Sequence, residues 1–94
     1  MRAIEQSSAC KRDFNRAKVA PRRRIDLDSP VSTVDARLAF NQVLPNKNRD
    51  HGLSGDWAGY RECHIKPGLL LIYGNAGVDT LRLARLGTHS ELFG

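Results

Sequence analysis

Apolar positions along this chain change their period twice, and each change marks a different kind of element. Cys10, Phe14 and Ala17 recur at i, i+4 and i+7, a thin stripe along one side of a helix that runs to about Ala20. Ser7 or Ser8 supplies its N-cap, and Pro21 ends it because the ring cannot continue the hydrogen-bond ladder. Asp26-Leu27-Asp28-Ser29-Pro30 is a second start signal, with Ser29 as N-cap and Pro30 at the first helical position. The helix it opens is expected to reach about Val43. Val31, Val34 and Leu38 make one apolar face there, and Ala36, Phe40 and Val43 widen it, so this helix should lie against a sheet. Arg2 to Gln6 reads as a short strand ahead of both helices.

Leu44 to Arg49 is loop chemistry. From Tyr60 the period becomes two: Tyr60, Glu62 and His64 share one strand face, while Arg61, Cys63 and Ile65 take the other. Pro67-Gly68 is a turn, and Leu69 to Tyr73 is an unbroken apolar run suited to a central strand. Gly74 to Asp79 is a hairpin loop. Thr80 to Gly87 forms the next strand, with Leu81 and Leu83 alternating against Arg82 and Ala84. The tail from Thr88 folds back in one turn and sets His89 and Phe93 beside the sheet. The expected fold is therefore α+β: a short N-terminal strand and a two-helix hairpin packed on an antiparallel sheet.

Length and charge narrow the picture. At 94 residues the chain is one domain, 1–94, with a modest core. Its net charge of +5 is an N-terminal property: residues 1–24 carry eight basic side chains against two acidic ones, and the rest is nearly neutral. Such a segment suits a phosphate backbone, an acidic protein partner or an anionic surface, and it equally suits a solvated helix face. Cys10 and Cys63, the two cysteines, lack the spacing of a disulfide framework or a zinc ribbon. The start has no apolar signal segment and no run approaches membrane-spanning length, so a reducing cytoplasm is expected.

The candidate chemistry lies in three histidines, His51, His64 and His89. Imidazole offers both protonation states near neutral pH. Cutting RNA at its own 2′-hydroxyl needs a base for the 2′ proton, an acid for the departing 5′ oxygen, and cations on the crowded phosphate. The histidines, with Arg61 or Arg85, could supply these roles without a cofactor. Lys47, Arg49, Lys11 and Arg12 are further candidate RNA contacts, and Glu62 and Asp50 are candidate orienting carboxylates, with Glu62 equally suited to a solvated strand face. Each histidine also has an ordinary use: capping a loop, filling a strand face, packing at the C-terminus. Trp57 and Tyr60 suit hairpin core as well as base stacking. A zinc site has no local ligand spacing behind it.

Several motifs resemble the YafQ branch of the RelE/ParE toxin superfamily. They are Leu44-Pro45, Asp50-His51-x-Leu53-x-Gly55-x-Trp57-x-Gly59-Tyr60-Arg61, Cys63-His64-Ile65-x-Pro67, Leu70-Leu71-Ile72-Tyr73, and the tail from Arg85 to Phe93. Lys11-Arg12-Asp13-Phe14-x-Arg16-Ala17 is similar to the family's first helix, whereas residues 21–43 match poorly. The resemblance implies a RelE-like helical hairpin on a curved antiparallel sheet. It also implies a ribonuclease site, with His89 as general acid, His51 and His64 sharing base duty and phosphate contact, Phe93 against a nucleotide and Arg85 facing the phosphate. Such toxins cleave mRNA on the ribosome, need no metal, and are silenced by an antitoxin through which alone they reach operator DNA.

One departure stands out. YafQ-like toxins usually carry Asp-Trp after the motif's proline, and that aspartate belongs to their active site; here the positions are Gly68 and Leu69. Glycine favours a tighter turn, and the lost carboxylate implies lowered cleavage unless Glu62 or Asp50 compensates. It keeps open two alternatives: a ParE-like gyrase inhibitor without nuclease activity, and a weakened toxin homologue that binds ribosome or antitoxin.

Overall fold

A computed structural model describes residues 3–19, 28–40, 42, 44–66, 68–77 and 79–93. Strand β1 (Ala3–Gln6) leads into helix α1 (Ser8–Val19), and helix α2 (Asp28–Ala39) follows. Short β2 (His51–Gly52), then β3 (Arg61–Lys66), β4 (Leu69–Asn75) and β5 (Thr80–Gly87) complete a five-stranded sheet of order β1-β5-β4-β3-β2. One-turn helix α3 (His89–Phe93) closes the described chain. β1 pairs with β5 in parallel, and every other neighbouring pair is antiparallel. The sheet is thus mixed at one edge, a pairing of residues 77 apart in sequence that strand periodicity does not reveal.

Local chemistry explains the boundaries. Ser7 is the cap of α1: its Oγ accepts the Cys10 N–H at 3.0 Å and donates to the Ala84 carbonyl at 2.7 Å, so one side chain starts the helix and docks it on β5. Pro21 and the Asp26-Leu27 part of the second start signal lie outside the described residues. α2 stops four residues before Val43. The Gln42 N–H bonds the Arg37 carbonyl at 2.7 Å, the six-to-one closure of a Schellman ending. Consequently Phe40, placed by periodicity on the apolar face, is 57% exposed, and Ala36 is exposed too. Val34, Leu38 and Ala39 do face the core.

The sheet is covered on both faces. On the helical side Cys10, Val34, Leu38, Cys63, Leu71 and Leu81 belong to one cluster. On the other side Leu70, Ile72, Ala84 and Leu92 form a second, overlaid by Leu53, Trp57 and Tyr60. That double cover explains why β4 is apolar at successive positions instead of alternating. Tyr60 lies so close over Gly74 that a Cβ there would stand 2.9 Å from its ring. Trp57 meets Tyr60 edge-on at 5.5 Å, so both aromatics serve as core cover.

Candidate active site

Sheet register gathers the polar residues. His51 on β2 pairs with Glu62 on β3, Glu62 with Ile72 on β4, and Ile72 with Arg85 on β5. One row across four strands therefore carries His51, Glu62 and Arg85 on a single face. A bulge between Ile72 and Tyr73 shifts β5 by one residue, and this turns Arg85 onto that face against the simple alternation begun by Leu81 and Leu83. The neighbouring row runs from His64 through Leu70 to Gly87, two residues before His89.

At the row's start, Glu62 is buried, with its side chain only 6% exposed. Its Oε1 stands 3.7 Å from His51 Nε2 and 3.8 Å from His64 Nε2. His51 Nδ1 lies 2.7 Å from the Arg49 carbonyl. A carbonyl only accepts, so Nδ1 carries the hydrogen, and in the neutral ring Nε2 is left with a free lone pair towards Glu62. Arg49 reaches this position with φ +48°, the left-handed region an arginine rarely enters. Buried Asn48, one residue earlier, donates to the His64 carbonyl at 2.7 Å. A single turn thus holds His51 by its ring and His64 by its backbone.

At the other end, the His89 and Phe93 rings lie 5.0 Å apart on α3. Thr88 and Glu91 form a reciprocal capping box: the Thr88 N–H donates to Glu91 Oε1 at 2.7 Å and the Glu91 N–H to Thr88 Oγ1 at 3.2 Å. Arg85 is held by buried Asp13 of α1, at 2.6 Å from Nε and 3.2 Å from Nη2. Burial alone would raise the Asp13 carboxyl. The hydrogen bonds from Arg85 and the Leu86 N–H, with the charges of Arg85 and Arg16, outweigh it and hold the carboxyl below its usual range.

The remaining expected residues divide. Asp50 accepts from the Tyr73 hydroxyl at 2.5 Å and from Arg61 Nε at 3.2 Å. Its described partners are therefore a phenol and a guanidinium, and Glu62 is the carboxylate that meets the imidazoles. Lys47, Arg49 and Arg61 are exposed around the Asn48 turn, and Lys11 and Arg12 are exposed on α1. Gly68 has φ +81°, with nothing within 4 Å of an added Cβ. Burial pushes the Cys10 thiol up to about 11 and the Cys63 thiol up to about 12, which leaves both protonated and inert. Asn48 and Asp13 escaped the sequence reading, since their partners lie 16 and 72 positions away.

Comparison with known proteins places the whole chain in one family. A family model described as the bacterial toxin of type II toxin–antitoxin system, YafQ, matches residues 2–94. The Escherichia coli protein named mRNA interferase toxin YafQ is 36% identical over 93 residues, which is 99% of this chain and 97% of that protein. A copper-bound mutant toxin from Helicobacter pylori superposes with a TM-score of 0.88 at 35% identity, covering 99% of this chain and 100% of that one. YafQ in the E. coli DinJ–YafQ complex superposes with a TM-score of 0.82 at 34% identity, covering 100% of both. The match spans α1, α2 and the whole sheet, and with it this chain belongs to the YafQ family of bacterial type II toxin–antitoxin toxins.

Proposed function

We propose that this toxin is a metal-independent endoribonuclease that cleaves mRNA on the ribosome by histidine acid–base chemistry. The observation that carries the reading is the buried Glu62 oxygen facing the Nε2 atoms of both His51 and His64, with His51 fixed through Nδ1. The Nε2 lone pair of His51 takes the 2′-hydroxyl proton. The freed 2′ oxygen attacks the adjacent phosphorus, and the bond to the 5′ oxygen breaks. His89 delivers a proton to that leaving oxygen, so a 2′,3′-cyclic phosphate and a 5′-hydroxyl result. Glu62 offsets the positive charge that His51 acquires, His64 contacts the phosphate and shares base duty, and Arg85 stabilises the phosphate's added charge. Phe93, in ring contact with His89, packs on the nucleotide. Each proton taken is matched by one returned, and contacts to the RNA strand fall to exposed Lys47, Arg49, Arg61, Lys11 and Arg12.

The E. coli relative solved with DinJ supports a proteinaceous antitoxin as this toxin's silencing partner, with operator DNA reached only through that complex. No helix among the described residues is long and apolar enough to cross a membrane, in keeping with action in the cytoplasm where ribosomes are. Gly68, in place of the family's aspartate, lowers the rate by removing one carboxylate, and Glu62 retains the orienting role. End-group analysis of cleaved RNA tests the chemistry. We expect 2′,3′-cyclic phosphates and 5′-hydroxyls, formed equally well in EDTA and lost in His89→Ala. Cleavage abolished by EDTA and restored by zinc would overturn it.

A further inference from the structure

Among the described residues, the buried polar side chains are Asp13, Asn48 and Glu62. Asn48 and Glu62 belong to the histidine cluster; Asp13 stands on α1, beside the stretch of β5 that runs past its pairing with β1. A buried carboxylate persists as an anion only where donors surround it. Asp13 Oδ2 accepts Arg85 Nε at 2.6 Å and the Leu86 N–H at 3.1 Å. Its Oδ1 accepts Arg85 Nη2 at 3.2 Å and Arg16 Nη2 at 3.0 Å. The two bonds from Arg85 reach separate oxygens, which fixes the plane of the guanidinium as a point charge would not. Three of Arg85's N–H donors remain beyond that fork. Arg16 also lies 3.7 Å from Glu91 Oε2, and Glu91 caps the helix that carries His89 and Phe93.

We infer that Asp13 is a positioning residue for RNA cleavage. It sets the plane of Arg85 for the scissile phosphate and, through Arg16 and Glu91, the seat of the His89 helix. The consequence for rate rests on the ribonuclease reading above; the positioning itself does not.

The test is Asp13→Asn, alone and in an Arg85→Lys background, with nitrogen-15 NMR recorded beside single-turnover cleavage. A neutral amide of the same shape still accepts the Leu86 N–H but cannot hold both arms of the fork. The amide oxygen keeps the Nε–H bond while the Nη2 arm meets an NH2 group, so the Arg85 Nε–H signal should shift and exchange faster than in the wild type, and the His89 ring signals should move. Cleavage should fall about 10- to 100-fold with RNA affinity changed less than about twofold, as misplacement near reacting atoms does. In the Arg85→Lys background, which has no planar fork to orient, Asp13→Asn should cost less than about threefold. Equal losses in both backgrounds, or an Arg85 signal indifferent to the substitution, would overturn the inference. If Asp13→Asn fails to fold, Asp13→Glu keeps the charge but shifts the fork, and the same two readouts decide. A wild-type protein that cuts no RNA would sink the ribonuclease reading alone, because the NMR arm still reports whether Asp13 seats Arg85 and His89.

Discussion

One hydrogen bond decides which nitrogen of His51 is free to act. Its Nδ1 donates to the Arg49 carbonyl, so Nε2 faces Glu62. The sequence showed that imidazoles, a carboxylate and an arginine were present; it did not show the hooks that aim them. Asn48 reads as loop polarity until its amide is seen on the His64 carbonyl. We predict that Asn48→Ala, which leaves that carbonyl unsatisfied, costs about 1–2 kcal/mol in urea unfolding. A cost below about 0.3 kcal/mol would show the contact to be dispensable. Gly68 has a φ of +81°, a conformation in which a side chain sits badly. Gly68→Asp should lower stability by roughly 1 kcal/mol in a thermal melt, and with the family's carboxylate restored it should cut RNA faster. An unchanged melting temperature with unchanged cleavage would remove Gly68 from the account.

Elements were more legible than their partners. Period-two alternation and the apolar run located β3, β4 and β5, and the bounds of β5 agree residue for residue with the expectation. The same periodicity overran α2, because Phe40 fits a helical stripe but a Schellman closure ends the helix before it. α2 also holds a buried polar atom that pattern reading passed over: Asp35 Oδ1 has no hydrogen-bond partner among the described residues, and burial pushes the carboxyl from 3.8 up to about 6. The folded state thus keeps a proton that the unfolded chain has lost, so this group's contribution to stability falls as pH rises from about 4 to about 6. Asp35→Asn removes that loss. Relative to wild type, the variant should gain on the order of 2 kcal/mol between pH 4 and pH 7. Parallel stability–pH curves for the two proteins would contradict a carboxyl raised by burial. On β4, Gly74→Ala should destabilise by about 1–3 kcal/mol by forcing Tyr60 aside, and a neutral melt would mean the ring moves freely.

For the whole molecule, the charge balance located the basic end but not its use. Part of that excess, residues 22–24, lies outside the described residues, while Asp13 and Glu91 engage Arg16. Exposed Lys47, Arg49 and Arg61 surround the histidine turn instead, so the proposed RNA contact takes in the site's own rim as well as α1. Three phosphate contacts on a single strand imply a log–log salt slope of roughly −2 for RNA binding; a slope near zero would deny the rim that role. The motif resemblance was strong over residues 44–94 and faded over 21–43, yet the family match runs through 2–94. α2 needs only a narrow stripe against the sheet, so little in its pattern distinguishes one such helix from another. The central claim, a nuclease working on translated mRNA, is tested most directly by mapping 5′ ends in a translating extract, with wild type and with His89→Ala. The account predicts new codon-phased ends that vanish in the variant. Intact mRNA with translation blocked, or ends unchanged by the substitution, would contradict it.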